Sequence, residues 1–442
     1  MLASPATLGS LPQKGHYTPR ASARVGVDDF DYVEEEWRVT GVTDDGDYET
    51  VALVRLPRDR SKFSGTVFVE PLHMLGFAPV WIYSAPYFMR EGHGHVTVAS
   101  QPETLDTHLR PHDGERYASL HIPAPDVPPL HEAGLPPDAE ALALVWASIA
   151  RRNTWCSTVL AQAGAAIRAN EGPFEGVRHV ILAGHSETGF VVTTYIREAH
   201  DTHRAPDGSA VYDGYFPSGY PSSPFRGIDV PLVQTISDAD VSHPVITFTT
   251  GYDDRAYRRD DSDDAGDLFR LYELAGAPHS GTRYLPYNSN ALWGAATKGA
   301  VTDTTLMSTF PHNELFNATL EHLVRWVVDG VAPPRAPRLE LAEDGRVALD
   351  RHGNTRGGVR CAQMDVPTRR YFARAPLPSE DYFSVGIEVP FAADELLALY
   401  GDESGYRDAF LARIDQQQVD GWLLADDVDQ MLTDLHVEMG RR

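Results

Sequence analysis

Apolar and polar residues alternate through EWRVTGVTDDGDYETVALVRL (residues 36–56) with an Asp-Gly at the centre, which predicts a strand hairpin at a sheet edge. GTVFVEPL (65–72), HVTVASQ (95–101) and RHVILAG (178–184) are short, nearly unbroken apolar runs, the pattern of strands covered on both faces. VPLVQTI (230–236) and FRLYELAG (269–276) predict two more strands. Helical spacing of apolar positions runs through 141–170, resumes in TGFVVTTYIREAH (188–200), and returns in HNELFNATLEHLVRWVVDG (312–330), where Gly330 and Pro333 end it. FAPVWIYSAPYFMREG (77–92) is either a crossover helix interrupted by Pro79 and Pro86 or a pocket wall. Residues 102–138, rich in proline, predict an extended loop draped over the surface. Strands alternating with helices give an α/β class with a mostly parallel sheet. From about Arg335 the pattern changes to short strands and then to two acidic helices.

One junction singles itself out. RHVILAG leads into HSETG and then into the helical segment, so Ser186 stands at a strand-to-helix corner. A serine hydroxyl is a weak nucleophile unless it is exposed by a tight turn and deprotonated by a base. Glycines are needed beside such a turn where the backbone passes close to neighbouring elements, and Gly184 and Gly189 fit that need. Thr188 stands where the usual G-x-S-x-G pattern has its second glycine. The simpler role for such a serine is a helix N-cap. As a nucleophile it would use the Glu187 amide, at the helix start, as one oxyanion donor.

A triad in the order Ser, acid, His needs an acid after one later strand and a histidine after the next. SDAD after VPLVQTI supplies Asp238 and Asp240, of which Asp240 has the better spacing; Asp253 and Asp254 in TTGYDD are further candidates. His279 follows the Gly-Ala-Pro turn after FRLYELAG and is the expected base, with His312 its rival. The second oxyanion amide is expected from the loop after GTVFVEPL, at His73 or Met74. Phe77 and Trp81, with Tyr83, Tyr87 and Phe88, are candidates for an apolar substrate wall, although aromatics at such spacing more often fill a core. The pairs His93/His95 and His108/His112 lack a third and fourth converging ligand, so no metal and no cofactor is expected.

Composition narrows the partners. The 442 residues carry 63 acidic against 38 basic groups, a net charge of -25, which repels a phosphate backbone or an anionic membrane. No nucleic-acid or membrane partner is therefore expected, only a small-molecule ester. The two cysteines, Cys156 and Cys361, have no metal or disulfide spacing, and the N-terminal segment lacks a basic and apolar leader pattern, so the expectation is a cytoplasmic protein.

Taken in order, GTVFVEPLHMLG, HVTVASQ, RYASLHIP, LAGHSETG, VPLVQTISDADV, FRLYELAGAPHS, RWVVDGVAPP and GNTRGGVRCAQMDVPTRRY resemble the alpha/beta hydrolase superfamily. The likeness is to a group of alpha/beta-hydrolase-domain proteins regarded as carboxylesterases, and it runs over nearly the whole chain. It implies an alpha/beta hydrolase fold and a serine hydrolase with Ser186 as nucleophile, His279 as base and an acid in SDAD. Because that group often has glutamate where Asp238 stands, the resemblance keeps Asp238 beside Asp240. It also usually has an asparagine and further glycines where this chain has His73 and Leu75. The expected organisation is an N-terminal strand layer (1–60), a hydrolase core (61–334) with lid loops near 77–92 and 102–138, and a C-terminal α+β extension (335–442), in which Arg360 either lines the pocket or forms a buried ion pair. The expected reaction is ester hydrolysis through an acyl-enzyme. An acyltransferase with the same triad, or a non-catalytic scaffold that binds a ligand or partner, are the alternatives.

Overall fold

The computed structural model describes residues 4–19, 26–123, 139–222, 224–241, 257–281, 307–373 and 386–440, with side chains of 139–151, 434 and 436–440 excepted. Two compact units emerge, one of Met1–Gln234, Val245–Phe269 and Arg325–Val331, the other of Thr235–Pro244, Arg270–Val324 and Ala332–Arg442.

The strands are β1 (Thr7–Ser10), β2 (Tyr32–Thr43), β3 (Gly46–Pro57), β4 (Thr66–Pro71), β5 (Gly94–Val98), β6 (His179–His185), β7 (Gly214–Ser218), β8 (Leu232–Ser237), β9 (Ser262–Asp264) and β10 (Asp267–Leu274). They form one ten-stranded sheet in the order β1-β2-β3-β5-β4-β6-β7-β8-β10-β9. β5, β4, β6 and β7 pair in parallel, and the β2–β3 hairpin joins antiparallel to β5. The N-terminal strands continue the sheet at one edge, where the hairpin pattern placed them. Val67, Phe68 and Val69 of β4 are fully buried, each worth about 1.5–3 kcal/mol of transfer from water. That double burial is why β4 reads as an unbroken apolar run.

Helix α1 (Pro79–Arg90) crosses from β4 to β5, so residues 77–92 take the crossover-helix form, one of the alternatives for this segment, and not that of a lid loop. Pro79 lies in the first turn, where its missing N–H costs nothing, and Glu70 accepts the amides of Val80 (2.7 Å) and Trp81 (3.1 Å). Helix α2 (Ala139–Arg168) and helix α3 (Glu187–Glu198) follow the predicted periodicity. Residues 102–112, expected as extended loop, are a run of short helical turns that begins with Pro102 in its first turn. Helix α4 (His312–Asp329) begins at the predicted point, and in the second unit β11 (Arg369–Phe372) and β12 (Ile387–Pro390) pair antiparallel. The acidic C-terminal segment forms helices α5 (Ala393–Tyr400), α6 (Glu403–Val419) and α7 (Val428–Gly440). Tyr406, Phe410, Ile414, Leu423, Met431 and Leu435 give these helices a core of their own. Gly401, with φ 76°, breaks the first predicted helix in two.

Candidate active site

Ser186 occupies the corner between β6 and α3 with φ 62° and ψ -124°. It is one of three non-glycine residues with positive φ among those described. Asp31 shares the sign but sits in the ordinary left-handed well (ψ 42°), whereas Ser186 lies outside it, in a region a side chain occupies only when the surroundings compel it. The compelling contacts are visible. The Ser186 amide donates to Ser218 O of β7 (3.0 Å), Thr188 Oγ1 accepts from the His185 amide (2.9 Å), and the Phe190 amide donates to Ser186 O (3.0 Å). A Cβ on Gly184 would lie 2.3 Å from Thr188 O, and one on Gly189 2.2 Å from Ser218 O, so both glycines are required by close backbone approach. Thr188, the departure from the usual pattern, is thus a lock on the turn. The Glu187 amide opens α3 and belongs to the first-turn N–H groups that have no acceptor inside a helix.

The loop after β4 behaves differently from expectation. The His73 amide donates to Phe77 O (2.9 Å) and the Met74 amide donates to Glu187 Oε2 (3.2 Å), so both amides expected at an oxyanion are already engaged. For Met74 the cause is the Glu187 side chain, which folds back on the loop and also accepts from Gln101 Nε2 (3.0 Å). Burial pushes its carboxyl up to about 7; the Gln101 and Met74 bonds and Arg152 pull the other way, while the charge of Glu103 adds to the rise. Gln101, which also donates to Leu72 O (3.0 Å), went unnoticed in the sequence; its place just past β5 is the only local signal it offers.

Phe77 stacks on His73 with ring centroids 4.1 Å apart, beside this loop. Trp81 belongs to the core: it is 1% exposed, with the Arg55 guanidinium 4.3 Å above its ring and His95 4.9 Å away. Helical geometry stacks it over Phe88 one face along, and there it has no access to solvent. His95 pairs with Glu70 (3.1 Å), His93 with Ser64 Oγ (2.7 Å) and His108 with Met74 O (2.8 Å), each a structural bond. His112 reaches Gly15 O (3.3 Å).

The second unit holds the candidate acid and base. His279 Nδ1 donates to Asp240 Oδ1 at 2.6 Å, both side chains being buried. The other oxygen, Asp240 Oδ2, accepts from the Ser237 amide (3.1 Å) and hydroxyl (2.7 Å), and Ser237 Oγ in turn accepts the Asp240 amide (3.2 Å). Such a reciprocal Ser-x-x-Asp arrangement locks the carboxylate and is legible as a helix-start pattern in SDAD. Asp238 turns elsewhere: its Oδ2 accepts the Gly276 amide (3.0 Å) and the Thr355 hydroxyl. His312 is buried at the start of α4, stacked on Phe316; burial and then the nearby His279 lower it to about 4, so it stays neutral. Asp253 and Asp254 lie outside the described residues. Arg360 pairs with Asp365, but the pair is partly exposed rather than buried; Arg360 also donates to Thr355 O and Met364 O.

A family model described as an alpha/beta hydrolase domain matches residues 12–433. The chain belongs to the alpha/beta hydrolase family. Solved structures with detectable likeness include LpqC, a poly(3-hydroxybutyrate) depolymerase from Bordetella parapertussis (13% identity, 71% of this chain and 95% of that one, TM-score 0.33). A putative dienelactone hydrolase from Klebsiella pneumoniae is 11% identical over 60% of this chain and 93% of its own, with a TM-score of 0.29. Brefeldin A esterase, a bacterial homologue of human hormone sensitive lipase, is 12% identical over 68% and 76%, with a TM-score of 0.34. Likenesses this distant say nothing about substrate. No curated protein matches the chain. Among the described residues no group of three or more His, Cys, Asp or Glu is placed to hold a metal ion, and no helix is long and apolar enough to cross a membrane. Cys156 and Cys361 are free, buried thiols.

Proposed function

We propose that this alpha/beta hydrolase family member is a carboxylic ester hydrolase that acts on a small-molecule ester through a Ser186–His279–Asp240 triad and an acyl-enzyme. The observation that carries the reading is the backbone of Ser186, held at φ 62° and ψ -124° between glycines that tolerate no Cβ. A helix N-cap serine needs no such conformation, since caps take extended dihedrals. The 2.6 Å bond from His279 Nδ1 to Asp240 supports the other half. It sets the tautomer in which Nε2 is the basic nitrogen.

In this reaction Ser186 Oγ attacks the ester carbonyl carbon while His279 Nε2 takes the hydroxyl proton. The carbonyl oxygen becomes an oxyanion, met by the Glu187 amide and by an amide of the His73–Met74 loop that leaves its present acceptor to do so. Collapse breaks the ester C–O bond, and the imidazolium returns its proton to the departing alcohol. Water then repeats the sequence against the acyl-enzyme, releasing the acid and restoring Ser186. The Asp240 side chain, bonded to His279 Nδ1, orients the ring and stabilises the imidazolium. Phe77 lines the acyl side beside His73.

Ser186→Ala is expected to abolish turnover of a short p-nitrophenyl ester and labelling by a fluorophosphonate while leaving the far-UV circular dichroism unchanged. Full activity in that variant refutes the assignment. Product analysis with an added alcohol or amine acceptor separates hydrolysis from acyl transfer.

A further inference from the structure

Asp238 is a buried carboxylate of the second unit that takes no part in the reaction above. Asp238 stands two residues before Asp240, and both bonds it accepts converge on Oδ2, one from the Gly276 amide (3.0 Å) and one from the Thr355 hydroxyl. Gly276 opens the Gly-Ala-Pro turn that delivers His279, and its φ of 77° is one a larger residue rarely takes. The same turn returns a bond to the acid segment, the Ala239 amide donating to Ala277 O (3.3 Å). Acid turn and base turn are therefore tied to each other at Asp238 as well as through Asp240 and His279.

Thr355 comes from a third segment, 353–360, more than a hundred residues further along. At Val359 that segment makes an isolated parallel bridge to the end of β10. The Ala275 amide donates to Val359 O (2.9 Å), the Val359 amide to Glu273 O (2.7 Å), and Leu274 bridges Val359. Gly358 has to be glycine here, because a Cβ would fall 2.6 Å from Glu273 O. Thr355 is itself anchored, its carbonyl accepting from Arg360, which Asp365 holds in turn. A continuous chain of bonds thus runs from Asp365 through Arg360, Thr355 and Asp238 to the first residue of the His279 turn.

We infer that Thr355, acting through Asp238, is a positioning residue for the acid–base pair, and that segment 353–360 belongs to the catalytic apparatus. The inference rests on the reading of Asp240 and His279 as acid and base. The environment of Asp238 agrees with it. Burial, helped by the charges of Glu273 and Asp240, raises this carboxyl to about 6, and only the Thr355 and Gly276 bonds oppose the rise. Without the hydroxyl, a buried acceptor loses its side-chain partner, and the geometry it fixed relaxes.

The test uses the full chain. In Thr355→Val, kcat on a p-nitrophenyl ester is expected to fall about ten- to a hundredfold with KM changed by less than about twofold, the loss that goes with a reacting group displaced by about 1 Å. Thr355→Ser restores the hydroxyl and is expected to restore kcat. In a Ser186→Ala background, the downfield proton resonance of the His279 Nδ1–H is expected to shift in Thr355→Val and return in Thr355→Ser. A Thr355→Val enzyme with unchanged kcat, a loss that serine does not recover, or an unmoved resonance overturns the inference. If the valine variant fails to fold, Thr355→Ala is compared with Thr355→Ser by the same criteria. Absence of fluorophosphonate labelling at Ser186 in the wild-type enzyme would instead bring down the proposed reaction, and the resonance would still report on Thr355.

Discussion

Adding one methyl group at Gly189 ought to disable the elbow more than any surface change of the same size. A Cβ built there meets Ser218 O at 2.2 Å and Ser218 C at 3.3 Å. Carbon and oxygen tolerate no approach much closer than about 3.3 Å, so roughly 1 Å of separation must open between α3 and β7. The carbonyl that is pushed is the one that accepts the Ser186 amide, so the displacement reaches the nucleophile directly. Overpacking of this kind costs about 1–3 kcal/mol of stability. A reacting group moved by about 1 Å loses on the order of a hundredfold in rate. The assay is kcat/KM on a short p-nitrophenyl ester, with the rate of fluorophosphonate labelling at Ser186 and the melting temperature read on the same preparations. Gly266→Ala is the control, because a Cβ there has nothing within 4 Å. Expected are a roughly hundredfold fall in both rates and a lower melting temperature for Gly189→Ala, and no change for Gly266→Ala. A Gly189→Ala enzyme that matches wild type in rate and melting temperature would refute the close-approach argument for the elbow.

Asp240→Asn should cost about three to four orders of magnitude in kcat, because an amide at Oδ1 selects the wrong His279 tautomer; Asp238→Asn should cost far less, and equal losses would contradict the division of labour between the two aspartates. Glu187, raised by burial to about 7, contributes stability that is complete below its unfolded value and is lost as pH rises through about 7. Glu187→Gln should therefore lose less melting temperature than wild type between pH values of about 5 and 8, and an equal loss would count against a buried, protonated Glu187. His312, lowered to about 4, works in the opposite sense: its contribution is complete above its ordinary value and disappears as pH falls through about 4. His312→Gln should accordingly show a shallower acid-side fall in melting temperature, and an unchanged slope would count against its burial as a neutral ring.

Local features of this protein were legible in the chain itself. The β2–β3 hairpin followed from alternation around Asp45-Gly46, and β4, β5 and β6 from short apolar runs, because a strand's burial is written in which neighbouring positions are apolar. β7 escaped notice: GYFPS is five residues long and carries Pro217, and its burial comes from the strands and helices around it rather than from a periodic pattern. The same limit applies to residues 77–92. Two prolines suggested interruption, yet Pro79 sits in the first turn and Pro86 is carried inside the helix, with the cross-chain cap from Glu70 stabilising its start.

For the site, the sequence by itself determined the corner. A strand pattern, two glycines and a helix pattern within about a dozen residues fix where Ser186 must stand, since the strain and the close approaches that shape the turn are made largely by its immediate neighbours. Tertiary structure alone decided the rest. Which of two aspartates bonds His279, that Glu187 folds back to take the Met74 amide, and that Thr355 reaches Asp238 across 117 residues all depend on where strands end and how turns are tied together. No local propensity encodes those meetings: they are set by the packing of elements far apart in the chain, and a displacement of one or two residues at a strand end would exchange one carboxylate for the other.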